Sequence, residues 1–405
     1  MGHTQPVSED LAITAATQVP DGIELRHLRA FLAVSEELNF SRAAERLFVS
    51  QPALSRQIRA LERLIGCDLF HRSTQRVKLT LAGEALLARA RTLLTDLADA
   101  ISATRSVGGE LAAQMARSHA PWLDAAHDIT NLDQIRAAVE QLHQPFSTPP
   151  GVTVTPVSAG GTPALQLSPP TAAGGTTLFL HGGSHIAGSA FGYRHLAGAI
   201  ATTAGTTTLL VDYRLAPEHP YPAGLHDVIR AYRWLLDAGA EPETITVVGD
   251  SSGGGLTMSL LLALRDQDTP LPAGAALLCP WIDLTGRTQR PPQESPILFI
   301  PEMARLFAQA YLAGQPADDP YLDPLHTDLT GLPPLLIHAA SGDSVLQEAQ
   351  LLAQHAKACA VATTTTIYPV PTHDFHIFWS FLPEATTALE ELGQFIRDAG
   401  APRLA

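Results

Sequence analysis

Cysteine is scarce. The three present, Cys67, Cys279 and Cys359, lie far apart in a chain of 405 residues. No pair has metal-site spacing, and an odd, scattered set is no disulfide framework. A reduced, cytoplasmic protein with no metal is the simpler expectation. Long apolar runs are also missing. Stretches such as "LTMSLLLAL" fall far short of the ~20 residues that a membrane-spanning helix needs, so no membrane association is expected. The opening "MGHTQPVSED" lacks a basic segment followed by an apolar run and does not read as a secretory signal. No internal repeat is visible. Charged residues make up only 16%, but hydrophobic residues reach 45%. That balance fits folded domains and argues against disorder. The length exceeds what one ordinary core covers, so two or more domains are expected.

Positive charge is short overall, with a net −14. Taken whole, this disfavours nucleic acid. The distribution says otherwise. Residues 24–106 hold 13 Lys and Arg against 9 Asp and Glu, leaving 13 against 31 for the rest. A mildly basic end on an acidic body is the asymmetry expected if only the N-terminal part meets phosphate.

Residues 1–22 have no period and read as a disordered tail. Leu25, Leu28, Phe31, Leu32 and Val34 then recur at helical spacing. "NFSRAAERL" starts a second helix, with Ser41 as candidate N-cap. After the turn "FVS", "QPALSRQIRALERLIG" is a third helix, with Pro52 in its first turn and Gly66 at its end. "CDLFHRSTQRVKLTLAG" alternates like a β-hairpin wing, and "EALLARARTLLTDLADAISATRSV" is a long amphipathic helix. Two short helices joined by a tight turn describe a helix-turn-helix, whose second helix reads base edges. Gln51, Ser55, Arg56 and Arg59 populate one side of that helix, and Gln and Arg suit adenine and guanine or phosphate. An ordinary helical domain with a solvated face would show much the same pattern.

A resemblance separates the two. The run "FSRAAERL", "SQPALSRQI" and "LFHR" is similar to the DNA-binding domain of LysR-type transcriptional regulators over about 70 residues. It implies double-stranded DNA as partner, with Gln51, Pro52, Ser55 and Arg56 at the DNA and Arg72 of the wing on phosphate. It also implies that the long helix, from about Gly83 to Ser106, pairs two subunits. The usual effector-binding region of that family does not follow.

After Gly108 helical patterns run to about His143, and "PFSTPPGV" marks a boundary. Strand-like runs then alternate with helices: "TTLFLH", "TTTLLVDYR", "TITVVGDS", "GAALLCPW", "PPLLIHAA" and "TTTTIYPV". This pattern predicts a mostly parallel sheet. "VVGDSSGGG" holds G-x-S-x-G between a strand and a helix, the setting of a nucleophile elbow with Ser251 exposed at the sheet top. A glycine-rich turn without chemistry has the same look. A serine needs a base held by an acid, in the order Ser, acid, His in this fold. Asp343 follows one strand end and His373 the next, with His376 as rival base. "FLHGGSHIAGS" offers Gly182 and Gly183, beside the N–H of Ser252, as donors to an oxyanion.

"HGGS", "VDYRLAPEHPYPA", "GDSSGG", "PWIDLT", "DLTGLPPLLI", "SGDSVL" and "THDF" resemble hormone-sensitive-lipase-like esterases of the α/β-hydrolase superfamily, over roughly residues 110–400. The resemblance implies Ser251 as nucleophile, Asp343 as acid, His373 as base, Gly182, Gly183 and Ser252 as oxyanion hole, and no cofactor. Ser184 stands where a third glycine is usual and Ser252 where alanine is usual. Both positions donate through backbone. Residues 110–145, with "PILFIPEMARLFAQAYLAG", resemble a helical cap.

The expected architecture is multidomain: tail 1–22, an all-α winged helix-turn-helix 23–82, a dimerisation helix 83–108, cap helices 109–150 and an α/β-hydrolase domain 151–405. The expected function is serine carboxylesterase activity on small to medium acyl esters, fused to a DNA-binding head, in a homodimer or higher oligomer. The alternative is a transcriptional regulator that uses the hydrolase domain as an effector sensor with little turnover.

Overall fold

The computed structural model describes residues 22–72, 77–108, 110–172, 174–288 and 301–401. The tail expected over 1–22 thus lies, but for Gly22, outside the described residues. Two units divide the chain, Met1–Ser102 and Ala103–Ala405.

In the first unit, helices α1 (Leu25–Glu37), α2 (Phe40–Arg46) and α3 (Gln51–Ile65) surround a core of Phe31, Leu54, Ile58, Leu61 and Leu69. The α2 cap corrects the sequence reading. Asn39, not Ser41, is the N-cap, and its Oδ1 accepts from the N–H groups of Ser41 and Arg42. Ser41 already lies inside the helix. Asn39 suits the role because its short side chain reaches back to the first orphan donors. Helix α3 is capped by Ser50 and closed by Gly66 at φ 85°. Strands β1 (Phe70–Arg72) and β2 (Val77–Leu79) pair antiparallel as the wing. Helix α4 runs Leu81–Gly108, starting two residues before Gly83. A Cβ at Gly83 would sit 2.3 Å from the Leu69 carbonyl oxygen, so glycine lets helix and wing pack closely.

In the second unit, α5 (Glu110–Ala125) and α6 (Leu132–His143) precede an eight-stranded sheet. Strands β5 (Thr176–Leu180), β6 (Thr207–Val211), β7 (Ile245–Asp250), β8 (Gly274–Leu278), β9 (Leu335–Ala340) and β10 (Thr363–Tyr368) are parallel, matching the six runs read from sequence. Two further strands, β3 (Thr153–Ala159) and β4 (Thr162–Ser168), had no place in that reading. They form an antiparallel hairpin through Gly160 and Gly161, both at positive φ. The order is β10-β9-β8-β7-β5-β6-β4-β3. Pro156 is tolerated because β3 is an edge strand.

Helices cover both faces. Leu178 and Leu180 join one buried cluster with helices α8 (Ala223–Asp237), α9 (Ser252–Asp266) and α11 (Leu346–Ala358). Phe179, between them, joins another with α7 (Ala190–Ala204) and α12 (Pro383–Ala399), as alternation along a strand requires. Helix α10 (Pro301–Leu312) and α6 share a third cluster. Among the described residues, no helix is long and apolar enough to cross a membrane. Cys67 is exposed, Cys359 is half-buried and Cys279 is buried.

Candidate active site

Ser251 sits between β7 and α9 with φ 51° and ψ −118°. A side chain in this region is strained, and such strain is held where function over-determines it. The neighbouring glycines make the turn possible. A Cβ on Gly249 would lie 2.2 Å from the Gly253 carbonyl oxygen, and one on Gly253 would lie 2.1 Å from that of Leu180. The Ser251 N–H donates to Leu278 at 2.8 Å, and its carbonyl accepts from Trp281 at 3.0 Å, so the turn is braced by β8 and the loop after it.

His373 follows β10 and Asp343 follows β9, both at the carboxyl edge where Ser251 also sits. Ser251 Oγ lies 2.8 Å from His373 Nε2, and His373 Nδ1 lies 2.8 Å from Asp343 Oδ2. Asp343 Oδ1 accepts from the Val345 N–H at 3.1 Å. His376, the rival base, is fully buried and stacked on His338, with its Nε2 3.2 Å from His338 Nδ1. Glu348 is engaged elsewhere, accepting from the N–H groups of Ile282 and Asp283.

Gly182 and Gly183 follow β5, the strand beside β7, where the chain order of the sheet reverses. Crevices at such switch points are the usual ligand sites of open α/β sheets. Gly183 has φ 114°, and a Cβ there would meet the Ala187 carbonyl oxygen at 2.2 Å. The N–H groups of Gly182, Gly183 and Ser252 form no hydrogen bond to another described residue. The Ser252 hydroxyl is used separately, accepting from the His185 N–H at 3.3 Å.

Comparison with known proteins bears on this arrangement. Residues 177–377 match a family model described as alpha/beta hydrolase fold, and residues 25–84 match the bacterial regulatory helix-turn-helix protein, lysR family. An acetyl-hydrolase of Streptomyces hygroscopicus is 39% identical over 269 residues, covering 65% of this chain and 89% of that protein.

The chain belongs to the α/β-hydrolase fold family.

An esterase of Acinetobacter venetianus is 31% identical over 265 residues, 64% of this chain and 87% of that one. A crystal structure of an esterase from the bacterial hormone-sensitive lipase family superposes with TM-score 0.66 at 32% identity, covering 71% of this chain and 98% of that one. The protein is therefore a carboxylic ester hydrolase of the hormone-sensitive-lipase type, joined to a LysR-type helix-turn-helix.

In this α/β hydrolase a cavity of about 70 Å³ opens over Ser251 and His373. His119 and Trp122 from α5, with Val139, Leu142 and His143 from α6, form its outer wall. Arg136 of α6 ties this wall to the loop that follows Gly183. It donates to the carbonyls of Ile186 and Ala216 at 2.7 and 3.0 Å and pairs with both oxygens of Glu218.

Asp374 adds a second carboxylate. Its Oδ1 lies 3.1 Å from His373 Nε2, near enough for charge attraction but off the hydrogen-bond direction. Burial opposes charge on His373, yet Asp343, Asp374 and Asp250 overcome it and push its pKa up to about 10. Burial raises Asp374 to about 7. Cys279, Asp343 and His373 lie close enough together to suggest a metal. The chemistry fits poorly. The histidine and the carboxylate already satisfy each other, and burial pushes the Cys279 thiol up, against the thiolate a metal requires.

In the helix-turn-helix, Gln51, Pro52 and Arg56 are exposed along α3 and Ser55 is half-buried there. Arg72 ends β1, opposite Val77. Arg56, Arg59 and Arg63 border one surface groove. Sequence reasoning passed over Phe48, which stands 96% exposed in the turn before α3. It also passed over Asp374, His119 and His143. The only signal for Asp374 was its adjacency to His373, and the histidines of α5 and α6 carried none.

Proposed function

We propose that Ser251 attacks small acyl esters, with His373 as general base and Asp343 fixing the imidazole through Nδ1. The carrying observation is the pair of 2.8 Å contacts that joins Ser251 Oγ to His373 and His373 to Asp343. Nε2 takes the Ser251 proton as Oγ bonds to the ester carbon. The oxyanion meets the N–H groups of Gly182, Gly183 and Ser252. Nε2–H then protonates the departing alkoxide, leaving an acyl-enzyme. His373 next activates a water, whose attack releases the acid and returns the proton to Ser251. The likeness to an acetyl-hydrolase supports short acyl groups. Ser251→Ala should reduce hydrolysis of chromogenic esters to near background, because a triad acts as a unit. Activity retained in that variant would refute the assignment.

The head, in this reading, binds DNA as a homodimer and makes the protein a transcriptional regulator whose state depends on the hydrolase. Gln51, Pro52, Ser55 and Arg56 of α3 face base edges and backbone, and Arg72 meets phosphate. Gln51→Ala should cost about 1–3 kcal/mol at one base position only. Arg72→Ala should weaken all sequences and lower the salt slope by about 1. Retardation assays on DNA flanking the gene read both, and uniform loss from Gln51→Ala would refute its base-reading role.

A further inference from the structure

The cavity wall carries a histidine whose tautomer is dictated from outside. The Trp379 indole N–H donates to His195 Nδ1 at 3.3 Å. Indole nitrogen can only donate, so His195 Nδ1 is the lone-pair nitrogen and the proton of neutral His195 sits on Nε2. That Nε2–H faces His143 Nδ1 at 3.0 Å. His143 Nδ1 must then accept, which puts the His143 proton on Nε2. Both rings stay neutral, because burial lowers His195 to about 3 and holds His143 well below the ordinary histidine range. His143 is 2% exposed, lines the cavity that holds Ser251 and His373, and its Nε2 has no hydrogen-bond partner among the described residues. A buried donor without an acceptor is costly, about 1–3 kcal/mol, and calls for a partner.

We infer that His143 Nε2–H is a fixed hydrogen-bond donor for the substrate, so that this site selects esters bearing a second acceptor oxygen, such as a ketone or ether, on the group lying under the cap. The inference rests on ester hydrolysis at Ser251 and names the substrate class. His119 sets off the assignment. Its Nδ1 lies 2.8 Å from the Met115 carbonyl oxygen and so carries the proton, which leaves its Nε2 an acceptor. The cap thus has a single histidine donor at this cavity among the described residues. A site built to donate to a substrate oxygen discriminates against the analogue lacking it, because its own buried group is then left unpaired.

The test uses matched esters in which one carbon is replaced by an oxygen function. On the acyl side these are p-nitrophenyl pentanoate and 4-oxopentanoate. On the alcohol side they are butyl acetate and 2-methoxyethyl acetate. The full-length protein should favour the oxygenated member of one pair by roughly tenfold in kcat/KM. His143→Phe should bring that ratio to about one, and His143→Gln, which restores an N–H, should recover part of it. Trp379→Phe leaves the cavity wall in place but frees the tautomer, and should lower the ratio as well. Calorimetric Kd values for the same pairs on Ser251→Ala read recognition without turnover, so failed hydrolysis and failed selection are distinguishable. A ratio of one in both pairs for the unaltered protein, in rate and in binding, overturns the inference. So does a preference that survives His143→Phe. An unchanged ratio in Trp379→Phe overturns the relay that fixes the donor.

Discussion

His373 has a carboxylate at each end of its ring, and the two do different work. Asp343 accepts from Nδ1 and selects the tautomer that leaves Nε2 free to take a proton. Asp374 stands at Nε2 itself, beside the serine oxygen. Its charge favours imidazolium, the form that cannot act as base. With the His373 pKa raised, kcat/KM should climb with pH well beyond the range of an ordinary histidine. Asp374, titrating near 7, is ionised through that alkaline window. Asp374→Asn removes one raising charge, so the limb should move to lower pH by about 1–3 units, and activity near neutrality should rise. A pH–rate profile of both proteins decides it, and an unmoved limb would show that Asp374 does not tune the base.

Among elements, α6 walls the cavity with Val139, Leu142 and His143 and reaches the neighbouring loops through Arg136. Its Arg136 donates to the Ile186 carbonyl in the loop that follows Gly183, to the Ala216 carbonyl after β6, and to the Glu218 carboxylate. Arg136→Ala should let the cap wall drift from Ser251, lowering kcat/KM about tenfold or more through misplacement. Thermal melting should change little by comparison, because the Glu218 partner is exposed and such pairs contribute ~1 kcal/mol or less. A large fall in Tm with unchanged kcat/KM would reverse this division. The cap also shows where reading the sequence stops. Ser251, Asp343 and His373 were legible because each ends a β-branched or apolar run, and parallel strands bring such ends to one edge. His143 and His119 were not, because only the folding of α5 and α6 over the crevice gives them a role. The β3–β4 hairpin went unread although Gly160-Gly161 is a hairpin signal. Pro156 and Pro163 interrupt its alternation, and edge position is a tertiary fact. At α2, Asn39 and Ser41 are both good caps, and only the backbone path chooses.

For the whole molecule the dimer is the test that links head and body. Leu93 and Ile101 are 55% and 44% exposed on α4. Eight residues apart, they share one face of that helix. Leu93→Glu with Ile101→Glu should yield a monomer in sedimentation and weaken operator binding, since two half-sites demand two correctly spaced reading helices. A dimer that survives both changes would place the seam elsewhere. Acylation of Ser251 by a slow inhibitor should then alter DNA affinity by about 5- to 150-fold if the units are coupled. The scarcity of cysteine supplies the means to watch it. Cys67 is exposed just past Gly66, the residue that closes the reading helix, whereas Cys279 is buried and Cys359 half-buried. Once Cys359 is replaced by serine, one thiol-reactive dye or spin label goes to each head at a native position. In the dimer the two labels would form a ruler across the reading helices, and the distance it reports can be followed while an ester is bound, attacked and released.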